Sequence, residues 1–241
     1  MIGCDCAVCR SDDPADRRLR AAALLRARRT TVLVDCGPDV RAQLLRARAE
    51  RIDAVVITHE HNDHIIGLDD LRPFMFRQRE PMRIYAEQRV RESIRERFAY
   101  AFAASPYPGA PRFELLDAAP GQPITVGDAP PITPLRVWHG KLPILGFRVG
   151  DLAYCTDVKT VAEDQLGALG GLATLVTSAL HHHRHHSHMN LAEAIAHAGR
   201  LSPKRTLLTH CSHLMGRHAE VNAVLPEGIR LAHDTAVLPI G

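Results

Sequence analysis

Residues 59 to 64 read His59-Glu60-His61-Asn62-Asp63-His64, three imidazoles and the carboxylate of Asp63 within one short stretch. Imidazole nitrogen and carboxylate oxygen are ligands for zinc, manganese or iron. His59 and His61 are two apart and Asp63 and His64 are adjacent, so a non-helical loop can aim the two pairs at different points. Four ligands from six residues is more than one ion usually takes. Two ions roughly 3.5–4 Å apart can share them. This differs from the i, i+4 helical pair of metalloproteases. Three cysteines, Cys4, Cys6 and Cys9, crowd the amino terminus, while Cys36, Cys155 and Cys211 are dispersed. In a reducing compartment such a cluster points to metal binding ahead of disulfides.

The elements that must place these residues follow from hydrophobic runs and their stops. Thr30 to Asp35 reads as a buried strand ended by Gly37-Pro38, with a helix from Pro38 to about Ala49 carrying Val40, Leu44 and Leu45 on one face. Ala54 to Thr58 reads as the strand that delivers the histidine loop. A helix is expected from Glu87 to Phe102, with Val90, Ile94, Phe98 and Phe102 in a row and Arg89, Arg91, Arg95 and Arg97 as a solvated face. Strands are expected at Ile132–Trp138, Leu145–Val149, Leu152–Thr156, Ala173–Thr177, Arg205–Thr209, Ile229–Leu231 and Ala236–Pro239. Helices are expected at Leu191–Leu201, capped by Asn190 and stopped before Pro203, and near His218–Val224. The alternation makes the chain mixed α/β. Its 241 residues fit a single domain, 1–241. Eight of the eleven aromatics lie between Phe74 and Phe113, so 71–113 is expected to form a lid, a dimer-contact segment or an ordinary satellite core under long loops.

Composition narrows the class. Apolar content of 46% and charged content of 24% are ordinary for a soluble globular protein. No run nears the roughly 18 apolar residues of a membrane span, and no leader precedes Cys4, so no membrane partner and a cytoplasmic location are expected. The 27 arginines and 3 lysines are dispersed, which argues against a nucleic-acid partner.

Three further candidates stand at strand ends: His139 after Leu135–Trp138, Asp157 after Ala153–Thr156, and His210 after Thr206–Thr209. With Asp35 after a strand, His59-X-His61-X-Asp63-His64 and Gly67-Leu68, these residues resemble the metallo-β-lactamase superfamily across nearly the whole chain. The resemblance implies a four-layer αββα sandwich of two mixed sheets. It implies that His59, His61 and His139 hold one divalent ion, that Asp63, His64 and His210 hold the other, and that Asp157 bridges them. Asp35 is implied to orient ligands from behind, and Asp234 to do similar work, although His233-Asp234-Thr235 stands where the family usually has Tyr-Asp-Gly.

Within the superfamily, Gly3-Cys4-Asp5-Cys6-Ala7-Val8-Cys9 and Thr209-His210-Cys211-Ser212-His213 look like the PhnP-type cyclic-phosphate phosphodiesterases of the carbon–phosphorus lyase pathway. That likeness implies a structural zinc on Cys4, Cys6, Cys9 and His213, a donor set that closes a tetrahedral site. Relatives place a strand and a Gly-Thr-Gly-Thr-type loop before the cysteines. This chain starts inside that motif, so the expectation is either a misassigned start or a missing first strand. The histidine-rich stretch His181-His182-His183-Arg184-His185-His186-Ser187-His188 has the composition of a metal-sequestering tract. By the resemblance only part of it serves the site: His188 protonates the leaving oxygen and His185 faces the phosphate or sugar. His181, His182, His183 and His186 are expected to be exposed, with His182 able to assist.

The function so implied is a binuclear zinc or manganese hydrolase of small, cyclic phosphodiesters such as a phosphoribosyl cyclic phosphate or a cyclic nucleotide, working as a homodimer, with Asp63, Asp157 and His188 as its catalytic set. The alternatives are an RNA-processing endonuclease of the tRNase Z type, a thioester hydrolase of the glyoxalase II type, and a non-catalytic zinc-binding protein.

Overall fold

The computed structural model describes residues 1–241. The chain divides into two compact units, Arg20–Pro134 and Met1–Leu19 with Leu135–Gly241. Two mixed sheets with accompanying helices make it α/β, as expected.

In the unit Arg20–Pro134 the strands β1 (Ala23–Ala27), β2 (Thr30–Val34), β3 (Ala54–Val56), β4 (Met82–Ala86) and β5 (Phe113–Asp117) lie in that order. β1 is antiparallel to β2 and the other pairings are parallel. Three of these strands were not anticipated. Ala23–Ala27 has helix-forming residues, yet its register against β2, Ala23 opposite Val34, makes it a strand. Four short helices follow the strands: α1 (Val40–Arg46), α2 (Asn62–Ile65), α3 (Arg72–Gln78) and α4 (Gln88–Arg97). β3 has three residues, all buried. At roughly 1.5–3 kcal/mol per buried aliphatic side chain, Val55, Val56 and the following Ile57 offset its shortness.

Several expectations need correction here. Leu45 is 64% exposed, leaving Val40 and Leu44 as the buried side of α1. The helix from Gln88 ends at Arg97, and the apolar row continues as a 3-10 turn at Ala99–Phe102. The arginines of α4 are not a simple solvated face: Arg89 pairs with Glu60, Arg91 with Asp117 at 2.7 Å, and Arg97 donates to Asn62 Oδ1 at 3.2 Å. The segment 71–113 supplies α3, β4, α4 and β5, with β4 seated between β3 and β5.

The other unit holds β6 (Ile132–His139), which starts in the neighbouring unit's last residues, then β7 (Leu142–Val149), β8 (Leu152–Cys155), β9 (Thr174–Ser178), β10 (Arg205–Thr209) and β11 (Ile229–Leu231), side by side in that order. β8 to β11 run parallel and β7 is antiparallel to β8. Helices α5 (Glu163–Leu166), α6 (Leu191–Leu201) and α7 (His218–Val224) complete it. α6 begins where Asn190 predicted: its side chain accepts the Glu193 N–H at 2.8 Å and Glu193 accepts the Asn190 N–H at 2.9 Å. Such a reciprocal cap contributes about 1 kcal/mol. The strand expected at Ala236–Pro239 does not form. That run has no neighbouring strand to pair with, and an apolar run without a ladder leaves its backbone polar groups unmatched. No helix is long and apolar enough to cross a membrane.

Candidate metal centre

In the unit Arg20–Pro134 the parallel strands β2 and β3 end at the same sheet edge, so the residues that follow them meet. Asp35, just past β2, is fully buried and sits in the left-handed region at φ 59°. Its carboxylate accepts the Thr58 N–H at 2.8 Å, the Thr58 hydroxyl at 2.9 and 3.0 Å, and the His64 Nδ1–H at 2.8 Å. Because the Thr58 hydroxyl gives its proton to Asp35, its oxygen accepts from His59 Nδ1, 2.9 Å away. One buried carboxylate therefore sets the ring orientation of His64 directly and of His59 through Thr58. Both imidazoles are left with Nε2 as the ligand atom, the role expected of a carboxylate behind metal histidines.

His59 Nε2 and His61 Nδ1 lie 2.9 Å apart, near the roughly 3.3 Å edge of a tetrahedron with 2.0–2.1 Å zinc–nitrogen bonds. Asp63 Oδ2 lies 3.4 Å from His64 Nε2. Two glycines allow the loop to close. A Cβ on Gly37 would stand 2.0 Å from the Asp63 carbonyl oxygen, and one on Gly67 would stand 2.1 Å from that of Gly37. The residues between the ligands are also held, Glu60 by Arg89 and Asn62 by Arg97. Thr58, Gly37, Arg89 and Arg97 had not been singled out as site residues. Thr58 stands in the sequence only as the end of a strand, Gly37 only as part of a stop, and Arg89 and Arg97 only as members of a basic helix face.

Replacing Asp35 with asparagine, which tolerates the left-handed backbone, is expected to weaken metal affinity about 10–100-fold. Competition with a chelator measures it, and unchanged affinity would remove Asp35 from this role.

In the other unit, β8 and β10 run parallel on either side of β9, which brings the residues past their ends together. Asp157 (φ 56°) and His210 (φ 54°) share the left-handed conformation of Asp35. Non-glycine residues held there cluster at functional sites. His210 Nε2 lies 3.2 Å from Asp157 Oδ1, which also accepts the Thr156 hydroxyl at 2.7 Å. His139 ends β6, and its Nδ1–H donates to the Ser187 carbonyl at 2.8 Å, again leaving Nε2. The ring of His188 lies 4.4 Å from that of His139 and 5.1 Å from that of His210. Its Nδ1 is buried and has no hydrogen-bond partner, the kind of group that calls for a ligand. Burial lowers the pKa of His188 to about 3 and also lowers that of His185, whose ring is 5.1 Å from His188. His182, His183 and His186 are exposed and His181 is half-buried. His182 is tied to the Met215 carbonyl at 2.8 Å.

Cys4, Cys6 and Cys9 gather at His213. Its Nδ1 lies 3.5 Å from Cys4 Sγ and 3.4 Å from Cys6 Sγ, close to the roughly 3.5 Å edge of a zinc tetrahedron with 2.3 Å sulfur bonds. The Cys9 N–H, followed by His213, pulls the Cys6 thiol down to about 6, toward the thiolate that zinc requires. Asp234 accepts the Leu19 N–H at 3.3 Å, tying the segment after the cysteines to the carboxyl-terminal turn.

Cys4, Cys6, Cys9 and His213 bring one ligand atom each within 4.8 Å of one another. The unit Arg20–Pro134 offers the donors His59, His61, Asp63 and His64, and the other unit offers His139, Asp157 and His210. Nitrogen and oxygen donors suit divalent ions, and the cysteine set suits zinc.

Residues 30–211 match the beta-lactamase superfamily domain, and the chain belongs to the metallo-β-lactamase superfamily. Its likeness is strong to a new diphosphatase from the PhnP family: 38% identity, a TM-score of 0.89, and coverage of 97% of this chain and 89% of that one. An octanoyltransferase of Porphyromonas gingivalis is 39% identical over 235 residues, 97% of this chain and 47% of that protein. The chain thus spans about half the length of this relative. A ribonuclease Z of Anoxybacillus flavithermus is 30% identical over 156 residues, 62% of this chain and 46% of that protein.

Proposed function

We propose that the chain hydrolyses small phosphodiesters, cyclic phosphates among them, at a two-ion centre. The observation that carries this reading is the His/Asp donor group held in each unit, His59, His61, Asp63 and His64 in one and His139, Asp157 and His210 in the other, with His188 against two histidines of the latter. His59, His61 and His139 would hold one ion, Asp63, His64 and His210 the other, and Asp157 both. Zinc or manganese bound there supplies an activated water and neutralises charge building on the phosphoryl group. The chain's own residues do the rest. Asp35 and the Ser187 carbonyl keep the ligand rings from rotating, which preorganises the centre. His188 faces the ester, where its unpartnered Nδ1 meets a phosphoryl or leaving oxygen; the negative charge of the bound ester favours the protonated ring, which gives its proton to the departing alkoxide. His185 lies behind it toward the phosphate or sugar. Cys4, Cys6, Cys9 and His213 would hold a third ion, a structural zinc with no open position.

A second reading, cleavage of an RNA phosphodiester, is supported by the likeness to the Anoxybacillus flavithermus ribonuclease Z. The same donors suit both, since the scissile bond is the same. A panel assay on metal-loaded protein separates them: bis-p-nitrophenyl phosphate, a ribosyl cyclic phosphate, cyclic nucleotides, a diphosphate ester, an octanoyl thioester and a precursor tRNA. Turnover of the small diesters without cleavage of the tRNA is expected. Exclusive cleavage of the tRNA or of the thioester would overturn the proposal. The diphosphate ester belongs in the panel because the PhnP-family neighbour is a diphosphatase, and the octanoyl thioester because of the octanoyltransferase relative.

A further inference from the structure

The histidines that the proposed centre leaves aside, His181, His183 and His186, cluster with His185, which borders that centre. Residues 181–188 make a loop closed at its base. The Leu180 N–H donates to the Met189 carbonyl at 2.9 Å, the Met189 N–H to Val158 at 3.0 Å, and the Leu191 N–H to the His181 carbonyl at 2.9 Å. The loop is therefore held in place, and its rings have definite neighbours. His181 lies 5.8 Å from His183 and 6.0 Å from His185, centroid to centroid. His185 lies 4.3 Å from His186 and 5.1 Å from His188. His188 in turn lies 4.4 Å from His139 and 5.1 Å from His210. Imidazoles thus run without a break from exposed His183 and His186 to two proposed ligands, with no interval above 6.0 Å.

Two rings whose centroids lie within about 6 Å can both reach a single ion through bonds of about 2.0–2.1 Å. A pair of neutral imidazoles with no thiolate or carboxylate beside them leaves most coordination positions to water. Such a site binds late first-row metals and releases them readily. No three nitrogens of the tract are drawn together as tightly as the ligand sets described above, which suits passage better than storage. We propose that His181, His183, His185 and His186 form an open acceptor for zinc-like ions, which takes them from solvent and passes them through His188 to the centre. The inference goes beyond the hydrolytic reaction and rests only on the assignment of His139 and His210 as ligands.

The test compares the full-length protein with His181→Ala/His183→Ala/His186→Ala, and with the same positions changed to glutamine, which keeps their polarity. Equilibrium dialysis against zinc counts tight and weak ions, and uptake by chelator-stripped protein at limiting zinc is followed with a metal-indicator dye. Wild type is expected to hold at least one weakly bound ion that both variants lack. Because capture beside the centre makes the next step intramolecular, uptake by the variants is expected to slow about tenfold or more. Turnover of fully loaded protein should be unchanged, since none of the three positions touches the proposed substrate. Equal weak-ion counts, or equal uptake rates, would overturn the proposal. The tight ions are read separately: their absence in wild type would refute the ligand assignment instead.

Discussion

Asp157→Asn is expected to lower kcat/KM by about 10³-fold or more, because charge stabilisation by the ions is worth several kcal/mol. Asparagine is the informative replacement. At φ 56° the backbone of Asp157 is in the left-handed region, which asparagine tolerates and alanine does not. The amide has nearly the same shape and still offers an oxygen to the Thr156 hydroxyl, now 2.7 Å from Oδ1. What disappears is the negative charge that Asp157 is proposed to offer to both ions. Steady-state kinetics and elemental analysis measure the two consequences together, with thermal unfolding as the control for the fold. A variant that keeps its metals and stays within tenfold of wild type would show that Asp157 is not the shared ligand.

His188→Ala should leave metal content unchanged and cost about 10²–10⁴-fold in kcat, with the loss concentrated in esters of alkyl leaving groups. The ring touches His139 and His210 and belongs to neither ligand set, so metals should survive its removal. Burial pushes its pKa down to about 3, which disfavours a resident proton. The leaving-group dependence therefore decides between a proton donor and a hydrogen-bonding partner of the ester. p-Nitrophenolate departs without help, whereas a sugar alkoxide needs a proton. A loss equal for both would make His188 a positioning residue, and loss of metal would make it a ligand.

Part of the fold was legible from local signals. α6, β10, α7 and β11 begin and end where capping, proline and β-branched runs placed them. In β4, Met82, Ile84 and Ala86 alternate with half-buried neighbours, a period-2 signal too short beside Pro81 to mark a strand by itself. β1 carried no such signal, because pairing with β2 overrode the helical tendency of Ala and Leu. Ala236–Pro239 shows the converse, an apolar run that finds no ladder.

The chemistry of the site was determined by the sequence alone, since donor identity is covalent: His59 to His64, the cysteine cluster, and the ligand candidates at strand ends could all be read in order. Only the tertiary structure decided how those donors are held. The hydrogen bonds of Asp35 to Thr58 and His64, the contact of Arg89 with Glu60, and the left-handed backbones of Asp35, Asp157 and His210 depend on strands far apart in the chain pairing in one register. Local propensity carries no information about such pairings. They form because burying the strands between them outweighs the backbone strain of the few residues at their ends.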